Sequence, residues 1–372
     1  MSQTKIGTFE AVSLVCIIVL NHLISNLPKK ILSSCGSASI LNVLFICLLA
    51  GIFAFFIIRV MKKFPNHDIL DISDFLGGKV LKVIIGILFF VLFIGSSSIL
   101  LRTFVDGLRL TYFTNFSTPT ILLVFLIGIC IISLIKASSL IKCNALITII
   151  MAFSLLVPLV SITPNFAFQR IFPILGFGTK ETFLTGASNL FAFSGLSILY
   201  FLPPLLKNQK DFKKVTILSV CLTGIFLLIS VASLLLSIPF VFNTQELSPI
   251  YLLVRSFEFG NFLQRPEGIF TLIWALSIIS YVSICIMFGK LILQKLLNLK
   301  HPNQLSYCLC TLLFALAILP ANMAQLYFIE ATIYQYYTLT LTFVLSFFLL
   351  ILASYKKSKR EKKKGSESYE ST

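Results

Sequence analysis

The chain is predicted to be an all-α polytopic membrane protein with ten transmembrane helices. Three observations predict this. The 372 residues are 57% hydrophobic and only 12% charged, with a mean hydropathy of +0.97, whereas soluble domains are about 45–50% apolar and about 25% charged. Stretches of about 20 residues almost free of charge recur along the chain, long enough to cross about 30 Å of hydrocarbon as helices. The formal charge of +16 sits mostly in the short connections and the tail, where Lys and Arg act as topology signals. Composition therefore excludes a soluble enzyme, and this placement of charge argues against nucleic-acid binding.

Pro, Gly and charge punctuation divide the apolar runs into ten spans, in order 8–28, 38–61, 83–112, 119–136, 142–162, 182–205, 215–238, 266–294, 304–321 and 327–354. The first follows a single Lys5, has no small-residue cleavage site and runs on into Asn21 and His22, so it reads as a retained helix and not a signal peptide. The second stops at Arg59, Lys62 and Lys63. The third carries Arg102, Asp106 and Arg109 at i, i+4 and i, i+3 spacing, so one carboxylate can pair with two guanidinium groups. Lys136 and Lys142 separate the fourth from the fifth. The sixth ends at Pro203-Pro204, and four lysines from Lys207 to Lys214 precede the seventh. The eighth opens on Arg265-Pro266-Glu267, with Pro in the first turn and an acid beside the positive end of the helix dipole. Ten such helices leave no room for a soluble domain, so residues 1–355 form one permease-like membrane domain and 356–372 a basic tail.

With the N-terminus inside, most Lys and Arg fall in cytoplasmic segments. Only Lys29, Lys30, Arg170, Lys180, Arg255 and Arg265 lie outside, and Arg102 and Arg109 lie within the third span. Both termini are expected to be cytoplasmic. Residues 65–82 place Ile69, Ile72, Phe75 and Leu76 on one helical face and Asp68, Asp71 and Asp74 on the other, as in a short interfacial helix. Residues 239–265 read as a structured outer loop, and the tail as a disordered charge run beside anionic lipid heads. Eight of the nine cysteines fall in or beside apolar spans, with Cys35 in a loop, and the three histidines are far apart. No zinc-ligand spacing occurs, so neither a metal site nor a disulfide framework is expected.

Polar or Gly-rich dips inside apolar spans are the best pointers to a ligand site, because a broken helix needs something to satisfy its freed backbone groups. Two dips stand out. The first span holds Asn21-His22-Leu23-Ile24-Ser25-Asn26 before Pro28, and the sixth holds Phe191-Ala192-Phe193-Ser194-Gly195-Leu196-Ser197. They occupy corresponding positions in two sets of five helices, as a five-plus-five inverted repeat requires. Gly195 would let backbone approach a ligand, Ser194 and Ser197 offer hydroxyls, and Phe191 and Phe193 can wall a small apolar side chain. The same Ser and Gly residues also suit close helix packing. Spacing alone leaves both readings open.

Four stretches carry a family resemblance: the Leu27-Pro28 end of the first span, FPNHDILDISDFLGGKVLKVIIG, FAFSGLSILYFLPPLLKN and GNFLQRPEGIFTLIW. In that order and spacing the chain resembles the spore germination permeases, the B-type subunits of endospore germinant receptors. The resemblance covers nearly the whole chain. It implies membership of the amino acid, polyamine and organocation transporter superfamily, with discontinuous helices 1 and 6 around a central pocket. It further implies residence in the inner spore membrane, partnership with an A-type membrane subunit and a C-type lipoprotein, recognition of a small germinant such as an L-amino acid, and no cofactor. Carried over by position, the pocket would be lined by Asn21, His22, Leu23, Ile24 and Ser25, and by Phe191, Ala192, Phe193, Ser194, Gly195 and Ser197. Where relatives have a small Gly-rich break, this chain has Asn21-His22-Leu23, which implies a smaller or reshaped carboxylate space. Three functions follow for comparison: a germinant sensor, a secondary amino acid transporter, and a scaffold or conduit subunit.

Overall fold

The computed structural model describes residues 5–238, 248–255, 266–299 and 304–370, with the side chains of Pro266 and of residues beyond 359 left aside. Regular structure among them is helical apart from one isolated bridge between Ile6 and Leu206. Among the described residues eight helices are long and apolar enough to cross a membrane, and two shorter apolar ones, Thr118–Ser133 and Leu305–Ile318, fall where the fourth and ninth spans are predicted.

Helix α1 (Thr8–Ser25) is apolar on every side and lies at the centre of the bundle, with 83% of its span buried. It stops at Asn26, whose backbone angles of −126° and −9° leave the helix, and α2 (Leu27–Cys35) continues beyond. Pro28 is the cause. It has no N–H to offer the carbonyl four residues earlier, and the Ile24 carbonyl accepts instead from Ser248 Oγ at 2.6 Å. Cys35, expected in a loop, is the buried last residue of α2. Helix α3 (Ser39–Met61) follows a single turn at Gly36–Ala38.

Helix α4 (Ile69–Thr111) has two arms, the expected interfacial helix and the third span, which meet at Gly77 and Gly78, where the backbone leaves helical geometry. Gly78 has φ 69° and ψ −164°, a conformation that side chains resist. The acids of 65–82 are not all on a solvated face. Asp68 is buried as the N-cap, accepts from the Leu70 and Asp71 amides, and pairs with Lys295 Nζ at 2.6 Å. Burial pushes its carboxyl up to about 6, while the Lys295 ammonium pulls the other way. The expected double ion pair near the other end of α4 is also rearranged. Arg102 Nε binds Asp106 at 2.7 Å, but Arg109 reaches Asp106 only through the Thr118 hydroxyl.

Helices α5 (Thr118–Ser133) and α6 (Ala137–Ser161) lead to α7 (Lys180–Phe201), which opens with a π turn at Lys180–Leu184 and winds as a 3₁₀ helix over Thr185–Phe201. Phe193 interrupts it at φ −95° and ψ 21°. Helices α8 (Asp211–Ser237), α9 (Pro249–Arg255), α10 (Pro266–Leu297) and α11 (Leu305–Ile318) follow. The α9 helix belongs to the expected outer loop; residues 239–247 and 256–265, Arg265 included, lie outside the described residues. The last helix, α12, runs over 323–370 with two π turns, Ile329–Tyr334 and Thr340–Leu345. It starts four residues before the expected span. The tail expected to be disordered is helical through Glu370, continuous with the last span, because no Pro or Gly stop separates Tyr355 from the lysines that follow.

Around α1 pack α6, α7, α8 and α10, while α4 packs along α10 and α3 along α8. The centre is thus the break of α1 facing the interrupted part of α7.

Candidate functional site

A cavity of about 330 Å³ opens where α1 breaks. His22, Asn26 and Lys30 line it from α1 and α2, Phe191 from α7, and Tyr327 and Glu330 from α12. The residue chemistry is mixed in a specific way. The His22 ring meets Phe191 and Tyr281 edge-on, with ring centres 5.6 and 6.1 Å apart. Lys30 Nζ lies over the Phe191 ring at 5.9 Å, near enough for a cation–π contact. Glu330 is buried and accepts from Asn26 Nδ2 at 3.1 Å. The cavity therefore holds the Lys29 and Lys30 ammonium groups and the Glu330 carboxylate, and Lys30 and Glu330 make no direct ion pair with each other among the described residues. Opposite charges separated across a small, largely apolar space suit a zwitterion whose own charges are close together.

Of the residues singled out in the sequence, His22, Phe191 and Asn26, the last residue of the first dip, line this cavity. Asn21 turns the other way: its Nδ2 donates to the Ile17 carbonyl and to Ser277 Oγ of α10, both at 2.8 Å, and its Oδ1 has no partner among the described residues. Ser25 Oγ donates to the Asn21 carbonyl and lines a neighbouring cavity between α4, α9 and α10, which Tyr327 also borders. Leu23, Ile24, Ala192, Phe193 and Ser197 are buried in the core. Ser194 Oγ is buried with no hydrogen-bond partner among the described residues.

Gly195 serves packing. A Cβ built there would come within 2.8 Å of the Val15 carbonyl oxygen and 3.2 Å of Val19. Its missing side chain brings α7 onto the backbone of α1. Below the cavity, polar groups tie α1 to its neighbours: Asn144 of α6 donates to Ser13 Oγ of α1 at 3.3 Å and accepts from Ser280 Oγ of α10 at 2.9 Å. Above it, Asn189 of α7 donates to Asn42 Oδ1 at 2.9 Å, and Asn42 takes up the Thr182 and Gly186 carbonyls freed by the π turn.

Lys29, Lys30, Tyr327 and Glu330 are lining residues that sequence spacing did not bring together with the rest. Glu330 carried a readable signal, since an acid inside an apolar span is costly unless it has a use. Placing the last span from 327 put it at a helix end and hid that signal. Among the described residues no group of three His, Cys, Asp or Glu is arranged to hold a metal ion.

Comparison with known proteins bears on both fold and family. The bundle superposes on the substrate-bound, outward-open Na+-coupled sialic acid symporter with a TM-score of 0.68 at 13% identity, over 93% of this chain and 80% of that one. It also superposes on a mutant manganese transporter from Eremococcus coleocola with a TM-score of 0.52 at 14% identity, over 93% and 77%. At these identities the likeness shows a shared transporter fold. Spore germination protein KB of Bacillus subtilis (strain 168) is 22% identical over 326 residues, which is 85% of this chain and 87% of that protein. The family profile described as spore germination protein matches residues 5–326. With a match across nearly the whole chain, this multi-pass membrane protein belongs to the spore germination protein family, whose members are permease-like and not of an enzyme class.

Proposed function

We propose that the chain is the membrane subunit of a spore germinant receptor and that it senses a small zwitterionic nutrient, such as an L-amino acid, in the cavity at the α1 break. The observation that carries this reading is Lys30 and Glu330 in one cavity with no direct ion pair between them among the described residues. The nutrient carboxylate would meet Lys30, its ammonium would meet Glu330, and Phe191 with His22 would wall its side chain. The reading includes ten transmembrane helices in a five-plus-five inverted repeat, with α1–α2 and α7 as the discontinuous pair. It also includes cytoplasmic termini, the inner spore membrane as location, and an A-type membrane subunit and a C-type lipoprotein as partners. The domain limits proposed are 1–355 for the permease-like domain and 356–372 for the tail. No catalytic role is proposed.

Binding that favours one of two arrangements of the bundle would pass a signal to the partner subunits. The second reading, a secondary transporter of amino acids, is favoured by the transporter fold alone.

The test is germination of spores lacking the protein, complemented with wild type, Lys30→Gln or Glu330→Gln, against a panel of amino acids, with protein level checked by immunoblot. Loss of response to one nutrient at normal protein level supports the pocket. Wild-type responses from both variants would refute it. Gly195→Trp is unsuitable here, because the ring would meet the α1 backbone and disturb packing whatever the pocket does.

A further inference from the structure

A second, independent cavity lies on the outside of the bundle, between α3 and α8. It has a volume of about 410 Å³. Its mouth carries Arg59, Lys62 and Lys213, and its floor is apolar, with Ile217 44% exposed on the flank. A helix-packed protein surface in water would not leave such a floor open, but acyl chains would cover it. Gly51 makes the space: a Cβ there meets nothing within 4 Å. A smaller cavity adjoins it at the start of α8, sharing Lys62 and Lys213 and adding Lys210. None of these four cations is in an ion pair among the described residues, although Asp211 is close in sequence.

We propose that this groove binds an anionic glycerophospholipid, with its phosphate among Arg59, Lys62 and Lys213 and one acyl chain along the Gly51 side of the floor. Charge complementarity selects the headgroup, since several cations without acidic partners at one end of a lipid-facing groove attract negative lipid and gain nothing from a zwitterionic one. The apolar floor selects a lipid over a soluble anion. The α3–α8 pair packs against α1 through α8, so an occupied groove would brace helices that touch the centre of the bundle.

The test is mass spectrometry of the purified full chain under non-denaturing conditions, after exposure to phosphatidylglycerol, diphosphatidylglycerol and phosphatidylcholine together. Wild type is expected to retain the anionic lipids and shed phosphatidylcholine. The Lys62→Gln, Lys213→Gln double variant should bind them more weakly by roughly fivefold per cation removed. Gly51→Trp, whose Cβ meets nothing within 4 Å and whose ring would occupy the groove, should lose them with all cations in place. Equal retention of anionic lipid by both variants, equal retention of phosphatidylcholine by wild type, or displacement of the lipid by inorganic phosphate alone would overturn the proposal.

Discussion

Glu330 is buried in the membrane part of the protein with one amide as its hydrogen-bond partner among the described residues, and the Lys30 ammonium lies over the Phe191 ring, in the same cavity as Glu330 but without a direct ion pair to it. Neither arrangement fully compensates a charge removed from water. A bound zwitterion would complete both. Hydrogen bonds to charged groups are worth about 1.5–3 kcal/mol, so Lys30→Gln and Glu330→Gln are each expected to raise the nutrient concentration for half-maximal germination about 10- to 100-fold. Germination curves against nutrient concentration check this, and unchanged midpoints would count against the pocket. Gly195 behaves differently. Gly195→Ala puts a methyl 2.8 Å from the Val15 carbonyl, and overpacking of this kind costs about 1–3 kcal/mol. Its expected effect is a lower thermal unfolding midpoint and less accumulated protein, with equal loss of response to every nutrient. The contrast between a nutrient-specific and a general defect separates ligand contact from packing. At this scale the sequence was partly legible. His22 and Phe191 were found because they sit in polar or Gly-rich dips. Lys30 falls between the first two predicted spans but lies in α2, since a turn of helix beyond Pro28 cannot be read from hydropathy alone.

Helix boundaries followed from chain punctuation wherever Pro or a charge cluster stops an apolar run, as at Lys62 after α3 and Lys207 before α8. The Gly77-Gly78 pair ends the short arm of α4 and turns the chain into the long one, while Asp68 caps the short arm and Lys295 anchors it to α10. Gly78 is the hinge that permits the bend. With φ 69° and open space around it, Gly78→Ala meets backbone strain and no clash, and is expected to cost about 1–3 kcal/mol. Gly107 in the same helix also has open space but no positive φ. Gly107→Ala is therefore expected to be neutral or to stabilise by up to about 1 kcal/mol. Thermal unfolding of the two variants in one detergent tests the pair; equal midpoints would mean that the bend at Gly78 is not a structural requirement. The break of α1 was legible for a similar reason. Pro28 announces it, although the Ser248 hydroxyl that takes the freed Ile24 carbonyl lies more than two hundred residues away and no local pattern points to it.

In the whole molecule α1 touches α6, α7, α8 and α10, so a ligand at its break acts on an element that contacts helices on several sides. The polar ties Asn21–Ser277 and Ser13–Asn144–Ser280 hold α1 to α6 and α10 below the cavity. The upper part, α2, is tied to α7 by Asn189–Ser34. A ligand bridging Lys30 of α2 and Glu330 of α12 would add a further tie across the open side. Ligand that binds only the folded protein stabilises it by mass action, about 2.7 kcal/mol at a hundred times its dissociation constant. For a chain of this size that corresponds to a rise of a few degrees in unfolding midpoint. The purified protein is therefore expected to unfold a few degrees higher with the cognate nutrient, and Glu330→Gln to lose the increment. The same preparation in proteoliposomes then separates sensor from transporter. Saturable stabilisation without accumulation of labelled nutrient is expected for a sensor. Concentrative uptake that Glu330→Gln abolishes would instead assign the cavity to an alternating-access cycle, since tight closure around a ligand and its release on the far side need the ties on both faces of α1 to exchange.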